Sequence, residues 1–261
     1  MTGLDLPTVK RLLRTEAIGH RITHLATTAS TMDVARQEAV AGAPHGAVVI
    51  AEEQTAGRGR FGRRWVSAAG RNLYLTLILR PDAGRLRSLS MVVPLAVCRA
   101  VEAVTPLRTV IKWPNDVLVG GRKLAGILIE GESSGAELVY ALVGIGLNVN
   151  DPVDDPEIVG IATSLSRELD EETSREAVMA ALLNETEDAY NAPADDVYSG
   201  WRSRIATLGQ AVRLTFRDEV HEGVAEDVDT EGSLVLRLAD GTHRAFEAGE
   251  VTLRDGPPRS P

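Results

Sequence analysis

Residues 57–65 read GRGRFGRRW, and three glycines with four arginines in nine positions is a composition that serves an anion. Glycine lets backbone N–H groups come close to a bound group, and arginine offers a planar fork of donors that matches carboxylate and phosphate oxygens. A solvated hairpin loop explains the arginines but not the glycines threaded between them. Residues 57–62 also spell G-x-G-x-x-G, yet they open no helix, so a dinucleotide fold is not indicated, and no Walker A lysine motif occurs. A second polar cluster, KWPND at 112–116, ends an apolar run, and GRKLAG at 121–126 brings another lysine back after a short reversal. Polar side chains gathered at a strand end beside a turn are a common seat of chemistry. Across a hairpin Lys112 and Lys123 can converge on one anion; standing apart, they are two surface lysines.

The elements that must position these groups are legible from pattern. Ser30-Thr31 before MDVARQEAVA and Gly42 marks a helix over about 32–41. AVVIAEE at 47–53 and NLYLTLILR at 72–80 read as strands flanking the Gly/Arg loop, the second with leucine at every other position. A helix is expected over 86–104, kinked at Pro94 or starting there, then a strand at 109–113. Gly120-Gly121 sits between two apolar runs and suits a tight reversing turn, with a partner strand over 137–149. Acid-rich covering helices follow at 163–170, 174–190 and 197–206. After Leu208-Gly209, short alternating strands with turns at 217–218, 229–232 and 240–241 have the spacing of a small antiparallel barrel. The expected domains are therefore 1–207 and 208–261.

Composition narrows the function. With 28 Lys+Arg against 37 Asp+Glu the net charge is −9, which argues against general binding to nucleic acid or anionic lipid. The charge is unevenly spread: residues 1–130 carry 18 basic and 10 acidic side chains, residues 131–261 carry 10 and 27, so an anionic ligand belongs to the first half. The single cysteine, Cys98, excludes a disulfide framework, and its apolar neighbours Val92, Val93, Leu95 and Val97 indicate a buried core residue rather than a catalytic thiol. The five histidines have no zinc-ligand spacing. The longest apolar stretch, 138–147, is short of the roughly 20 residues a membrane span needs. Charges at Asp5, Lys10, Arg11 and Arg14 break up any signal-peptide core, so the chain reads as cytoplasmic.

Taken in order, Ser30-Thr31, EQTAGRGRFGR at 53–63, KWPND at 112–116, GRKLAGIL at 121–128 and GIGLNVN at 144–150 closely resemble the biotin protein ligase (biotin–[acetyl-CoA-carboxylase] ligase) family, and the resemblance covers roughly residues 20–255. It implies an α+β fold: a class II aminoacyl-tRNA synthetase-like mixed sheet with helices, plus a small C-terminal SH3-like β-barrel. It also implies a two-step reaction in which biotin is activated by MgATP as biotinyl-5′-AMP and then transferred to a lysine of a biotin carboxyl carrier domain of a carboxylase. Family members that repress transcription carry an N-terminal DNA-binding domain, and the 29 residues before Ser30 do not hold one, so a monofunctional ligase without operator binding is expected. A homodimer through an exposed sheet edge stays open. Lipoate ligase, octanoyltransferase and a non-catalytic biotin-binding module are the competing readings; the loop with KWPND and GRKLAG favours biotin, and the set Arg58, Lys112 and Lys123 favours catalysis.

Residue by residue, the resemblance assigns biotin to Ser30, Thr31, Met32, Gln54, Arg58, Gly59, Arg60 and Lys123. Lys123 is the leading catalytic residue, a compact charge for the reacting phosphate, with Arg58 beside it. Asp116 orients or deprotonates the incoming amine, or else caps a turn. The nucleotide falls to Arg58, Arg60, Trp65, Lys112, Asn115, Asn148 and Arg254; Trp65 either stacks on adenine or anchors the loop, and Asn148 either stands near Mg²⁺ or holds a turn. No protein cage is expected for Mg²⁺, which arrives with ATP. Many family members have asparagine where this chain has Met32, so a side-chain amide contact to biotin is not expected there, although the backbone can still serve.

Overall fold

The computed structural model describes residues 3–134 and 137–253. A short helix α1 (Leu6–Leu12) precedes strand β1 (Ile22–Thr28), helix α2 (Thr31–Val40) and strand β2 (Ala47–Gln54). β1 and β2 run parallel, which a tight turn cannot connect, and α2 is the crossover between them. Strand β3 (Leu73–Leu79) follows the Gly/Arg loop, then helix α3 (Ala83–Val104) and the meander β4 (Val110–Lys112), β5 (Asp116–Val119), β6 (Arg122–Ser134) and β7 (Glu137–Leu147). Helices α4 (Leu165–Leu169), α5 (Arg175–Asn191) and α6 (Ala194–Arg202) come next. The chain ends in β8 (Ala211–Phe216), β9 (Glu219–Val228), β10 (Leu234–Leu238), β11 (His243–Phe246) and β12 (Glu250–Leu253). The first seven strands form one mixed sheet, ordered β1-β2-β3-β7-β6-β5-β4, and the last five an antiparallel sheet, β11-β10-β9-β8-β12. Among the described residues no ladder closes β11 onto β12.

Every residue of β3 is buried, both the alternating leucines and Tyr74, Thr76 and Ile78 between them. The cause is cover on both sides. Leu73, Leu75, Leu77 and Leu79 enter the main core with α3 and α5, while Ile78 meets Met32, Ala35 and Ala39 of α2 on the opposite face. α3 begins three residues earlier than expected because the Asp82 carboxylate accepts from Arg85 N and caps it. Pro94 lies inside that helix without ending it.

The reversing turn between β5 and β6 has φ of +56° at Gly120 and +78° at Gly121, where any side chain is strained. In the C-terminal sheet, Arg217 and Asp218 take φ of +49° and +65° at the tip of the β8–β9 hairpin. Alternate residues Val212, Leu214, Leu234, Leu236 and Phe246 are buried beneath that sheet. Trp113 links the two sheets: its backbone N–H donates to Thr207 Oγ1 at 3.0 Å, and its indole Nε1 donates to Gly232 O at 2.9 Å. The turn after β4 is thus fixed against the C-terminal sheet. The Trp113–Pro114 peptide is cis.

Candidate active site

One cleft of about 550 Å³, a volume suited to a small-molecule ligand, runs across the face of the mixed sheet that carries α2. Its inner end is polar. Ser30 occupies the N-cap of α2 but its hydroxyl makes no capping bond, and Ser30 and Thr31 are both buried. Gln54, at the end of β2, accepts from Thr31 N at 2.9 Å and from Thr31 Oγ1 at 3.1 Å, and its Nε2 donates to Ser67 Oγ at 3.3 Å. Thr76 donates to Thr31 Oγ1 at 2.9 Å from the centre of β3. Sequence reasoning found Ser30, Thr31 and Gln54; Thr76 and Ser67, which it did not single out, brace Thr31 and Gln54 without lining the cleft themselves.

The outer end is cationic. Arg58, Arg60, Lys112 and Lys123 all line the cleft, joined by Arg63 and Arg64. The Gly/Arg loop is a small hairpin, closed by Gly59 N on Arg63 O at 2.7 Å and Trp65 N on Gly57 O at 2.9 Å. Gly57 admits no side chain: a Cβ there would stand 2.9 Å from Trp65 O. Arg60 donates to Asn115 Oδ1 at 3.2 Å and Gly249 O at 3.3 Å; burial lowers its guanidinium from the ordinary value, against Asp116 and Glu250, yet an arginine so shifted stays charged. Asn115 also donates to Ile127 O at 2.8 Å. Lys123 Nζ lies 2.7 Å from Asp116 Oδ1 and 5.2 Å from the centre of the Trp65 ring.

Glycines make the floor. Gly126 and Gly146 are direct partners on β6 and β7, and the Trp65 indole lies across both, so that a Cβ on Gly146 would fall 2.3 Å from Trp65 Cε2. Gly144, two residues back on the same face, is covered by Met32, whose Sδ would meet a Cβ there at 2.9 Å. Met32 therefore lines the cleft through its thioether. Two other contributors are distant in sequence: Ile158, Gly160 and Ile161 before α4, and Gly249 and Glu250 at β12. Backbone bonds Lys123 N to Ile161 O and Thr163 N to Lys123 O tie the first of these to the β5–β6 hairpin.

Asn148 lines the cleft, but its side-chain amide donates to Thr163 O at 2.9 Å, which holds the segment after β7. Arg254 lies outside the described residues. Cys98 is fully buried, and burial pushes its thiol up to about 11. Of the carboxylates at the cleft, Asp116 faces Lys123 and Glu250 faces Arg63. Among the described residues no group of three or more His, Cys, Asp or Glu is placed to hold a metal. No helix among them is long and apolar enough to cross a membrane.

Fold and cleft together define a class, an α+β domain with an appended antiparallel sheet, in which a polar pocket opens into a cluster of arginines and lysines. Residues 25–148 match the Biotin/lipoate A/B protein ligase family, and residues 207–254 match the Biotin protein ligase C terminal domain. The chain is 36% identical over 214 residues to biotin–[acetyl-CoA-carboxylase] ligase of Paracoccus denitrificans, spanning 78% of this chain and 88% of that one. It is 34% identical over 265 residues to the ligase of the same name from Mycobacterium tuberculosis, spanning 94% and 95%. A biotin protein ligase from Aquifex aeolicus solved with biotin and ATP superposes with a TM-score of 0.76 at 27% identity, covering 91% of this chain and 100% of that one. The chain belongs to the biotin protein ligase family.

Proposed function

We propose that this chain activates biotin with ATP as biotinyl-5′-AMP and transfers the biotinyl group to a lysine of a biotin carboxyl carrier domain of an acetyl-CoA or acyl-CoA carboxylase. The observation that carries this reading is the continuity of the cleft: Ser30, Thr31 and Gln54 at its polar end lead directly to Arg58, Arg60, Lys112 and Lys123. The ureido end of biotin finds donors and acceptors at the inner end, its apolar body lies against Met32 and Leu128, and its carboxylate reaches the cations. There the carboxylate oxygen attacks the α-phosphorus of ATP, and pyrophosphate leaves. Two anions must approach, so fixed positive charge supplies much of the acceleration. In the second step a neutral lysine amine attacks the acyl carbon, AMP leaves, and Asp116 is the carboxylate placed to take the amine proton.

Trp65 and Arg60 serve the nucleotide, with Lys112, Asn115 and Asn148 along the same wall. The carboxylates here are already engaged by Lys123 and Arg63, which suits a Mg²⁺ that enters on the triphosphate, keeps most of its waters and supplies charge neutralisation there. The proposal assigns no operator binding to the chain, in keeping with its net charge of −9.

The test is biotin-dependent exchange of labelled pyrophosphate into ATP by the purified chain, with Lys123→Ala as control and lipoate and octanoate as competing acids. Exchange with biotin alone, lost in the variant, is expected. Exchange driven by lipoate or octanoate, or biotin binding with no exchange, overturns the proposal.

A further inference from the structure

Arg58 is bound end-on by a carboxylate outside the Gly/Arg loop. Its Nη1 donates to Asp33 Oδ2 at 3.0 Å and its Nη2 to Asp33 Oδ1 at 2.5 Å, the fork-to-fork geometry that fixes both the distance and the plane of a guanidinium. Asp33 stands in the first turn of α2, one residue after Met32 and two after Thr31, so the helix end that forms the inner pocket also grips the arginine of the outer one. The groups facing Asp33 are Arg58 and Arg36; Arg36 lies 3.8 Å away and is itself engaged by Glu130 of β6. The other half of the loop is tied elsewhere, by Arg60 to Asn115 and Gly249 and by Arg63 to Glu250.

We propose that Asp33 is the positioning residue for Arg58: it holds the guanidinium, and with it the first half of the Gly57–Gly62 loop, at the junction between the acid pocket and the phosphate-binding end of the cleft. This rests on the ligase reading and adds to it a residue that touches no substrate. Two of the five N–H groups of Arg58 are taken by Asp33, and the remaining three are the ones free to meet an anion. Pre-orientation matters because an arginine free to swing must be ordered at the moment of binding. The pair is not there for folding. With the two side chains 42 and 40% exposed, an ion pair of this kind adds little to stability. The hydrogen bond from Arg58 is also the main cause that holds the Asp33 carboxyl below its ordinary value, so the grip persists at neutral pH.

The experiment combines kinetics with cleavage of the full chain. Asp33→Ala, Asp33→Glu, Arg58→Ala and the Asp33→Ala/Arg58→Ala double variant are compared in biotin-dependent pyrophosphate exchange. Limited trypsin digestion then probes the loop of the wild-type chain and the two Asp33 single variants, because Arg58, Arg60, Arg63 and Arg64 are tryptic sites within residues 57–65. Asp33→Ala is expected to raise KM for biotin about tenfold with a smaller effect on kcat, to speed cleavage in the loop, and to leave the melting temperature within about 2 °C of wild type. Asp33→Glu should restore part of the KM, and in the Arg58→Ala background the loss of Asp33 should change KM by less than about twofold. An equal KM effect with and without Arg58, or an unchanged KM in Asp33→Ala, overturns the proposal. Wild-type chain that exchanges with no acid defeats the ligase reading instead, and the loop claim is then decided by cleavage alone: unchanged cleavage in Asp33→Ala overturns it.

Discussion

Lys123 and Asp116 share one side of their hairpin because the β5–β6 ladder slips between Val117 and Leu118. Asp116 pairs with Gly126 and Val117 with Ala125, but Leu118 pairs with Lys123, leaving Leu124 as the extra residue. In regular register Lys123 would oppose Val119 and point away from Asp116; the bulge turns it into the cleft, where its Nζ comes to 2.7 Å from Asp116 Oδ1. Leu124, displaced by the same slip, is fully buried on the other side.

Lys123→Ala should therefore lower the adenylation rate by about 10²-fold or more, the magnitude seen when a preorganised charge is removed from a developing oxyanion. Lys123→Arg should not restore it, because a planar fork cannot take the place of a compact ammonium held between Asp116 and the Trp65 ring. Single-turnover formation of the adenylate is the measurement. Asp116→Asn should slow transfer to the carrier lysine more than adenylate formation, and a reversed order would remove the amine-side role from Asp116.

Much of this site was legible because its motifs are local. The Gly/Arg loop, KWPND, GRKLAG and the Ser30-Thr31 cap each show their chemistry within a few residues, and the Gly120-Gly121 turn follows from the φ it requires. What sequence did not reveal is non-local. The bulge at Leu124 depends on how two strands register. The burial of both faces of β3 depends on α2 folding over from one side and α3 from the other. Asp33 looks like an ordinary acidic residue in a first helical turn until Arg58 is placed beside it, and Glu250 enters the cleft only because the C-terminal sheet docks through Trp113.

The contact of Trp65 with Gly146 gives a second prediction. A Cβ at Gly146 would collide with the indole at 2.3 Å, and an indole cannot yield as a flexible chain end does. Gly146→Ala should either expel Trp65 or cost about 1–3 kcal/mol in overpacking. Tryptophan emission separates the two, because Trp113 and Trp201 are buried and a red shift reports Trp65. Trp65→Ala in the same chain should recover the lost stability; failure to recover it would show that the strain lies elsewhere in the sheet.

Cys98 should be inert. Its side chain is fully buried and its thiol is pushed up to about 11, so at pH 8 roughly one molecule in a thousand is a thiolate, and that one is shielded from solvent. A disulfide reagent should label the native chain no faster than the chain unfolds, and label it at once in urea. Prompt labelling of the native chain would contradict the packing of α3.

Acid stability should depend on Glu52, two residues before Gln54 on β2. Burial alone would raise this carboxyl, but hydrogen bonds from Arg175, Leu4 N and His24 outweigh it and hold the group below the ordinary glutamate value. A carboxylate depressed by folding binds protons more readily when unfolded. Its contribution is complete above the ordinary glutamate pKa of about 4.3 and disappears as the pH falls through the lower folded value. Glu187 acts in the same direction, with burial outweighed by N–H groups of Ile18, Ala17 and Glu16. Glu52→Gln leaves Arg175, which is 8% exposed, without its charge partner and should cost about 2 kcal/mol at pH 7. It should also flatten the fall in stability between roughly pH 5 and pH 3, since the titrating group is gone. Urea unfolding at a series of pH values checks both: an acid limb as steep in Glu52→Gln as in wild type would assign acid sensitivity to other carboxylates.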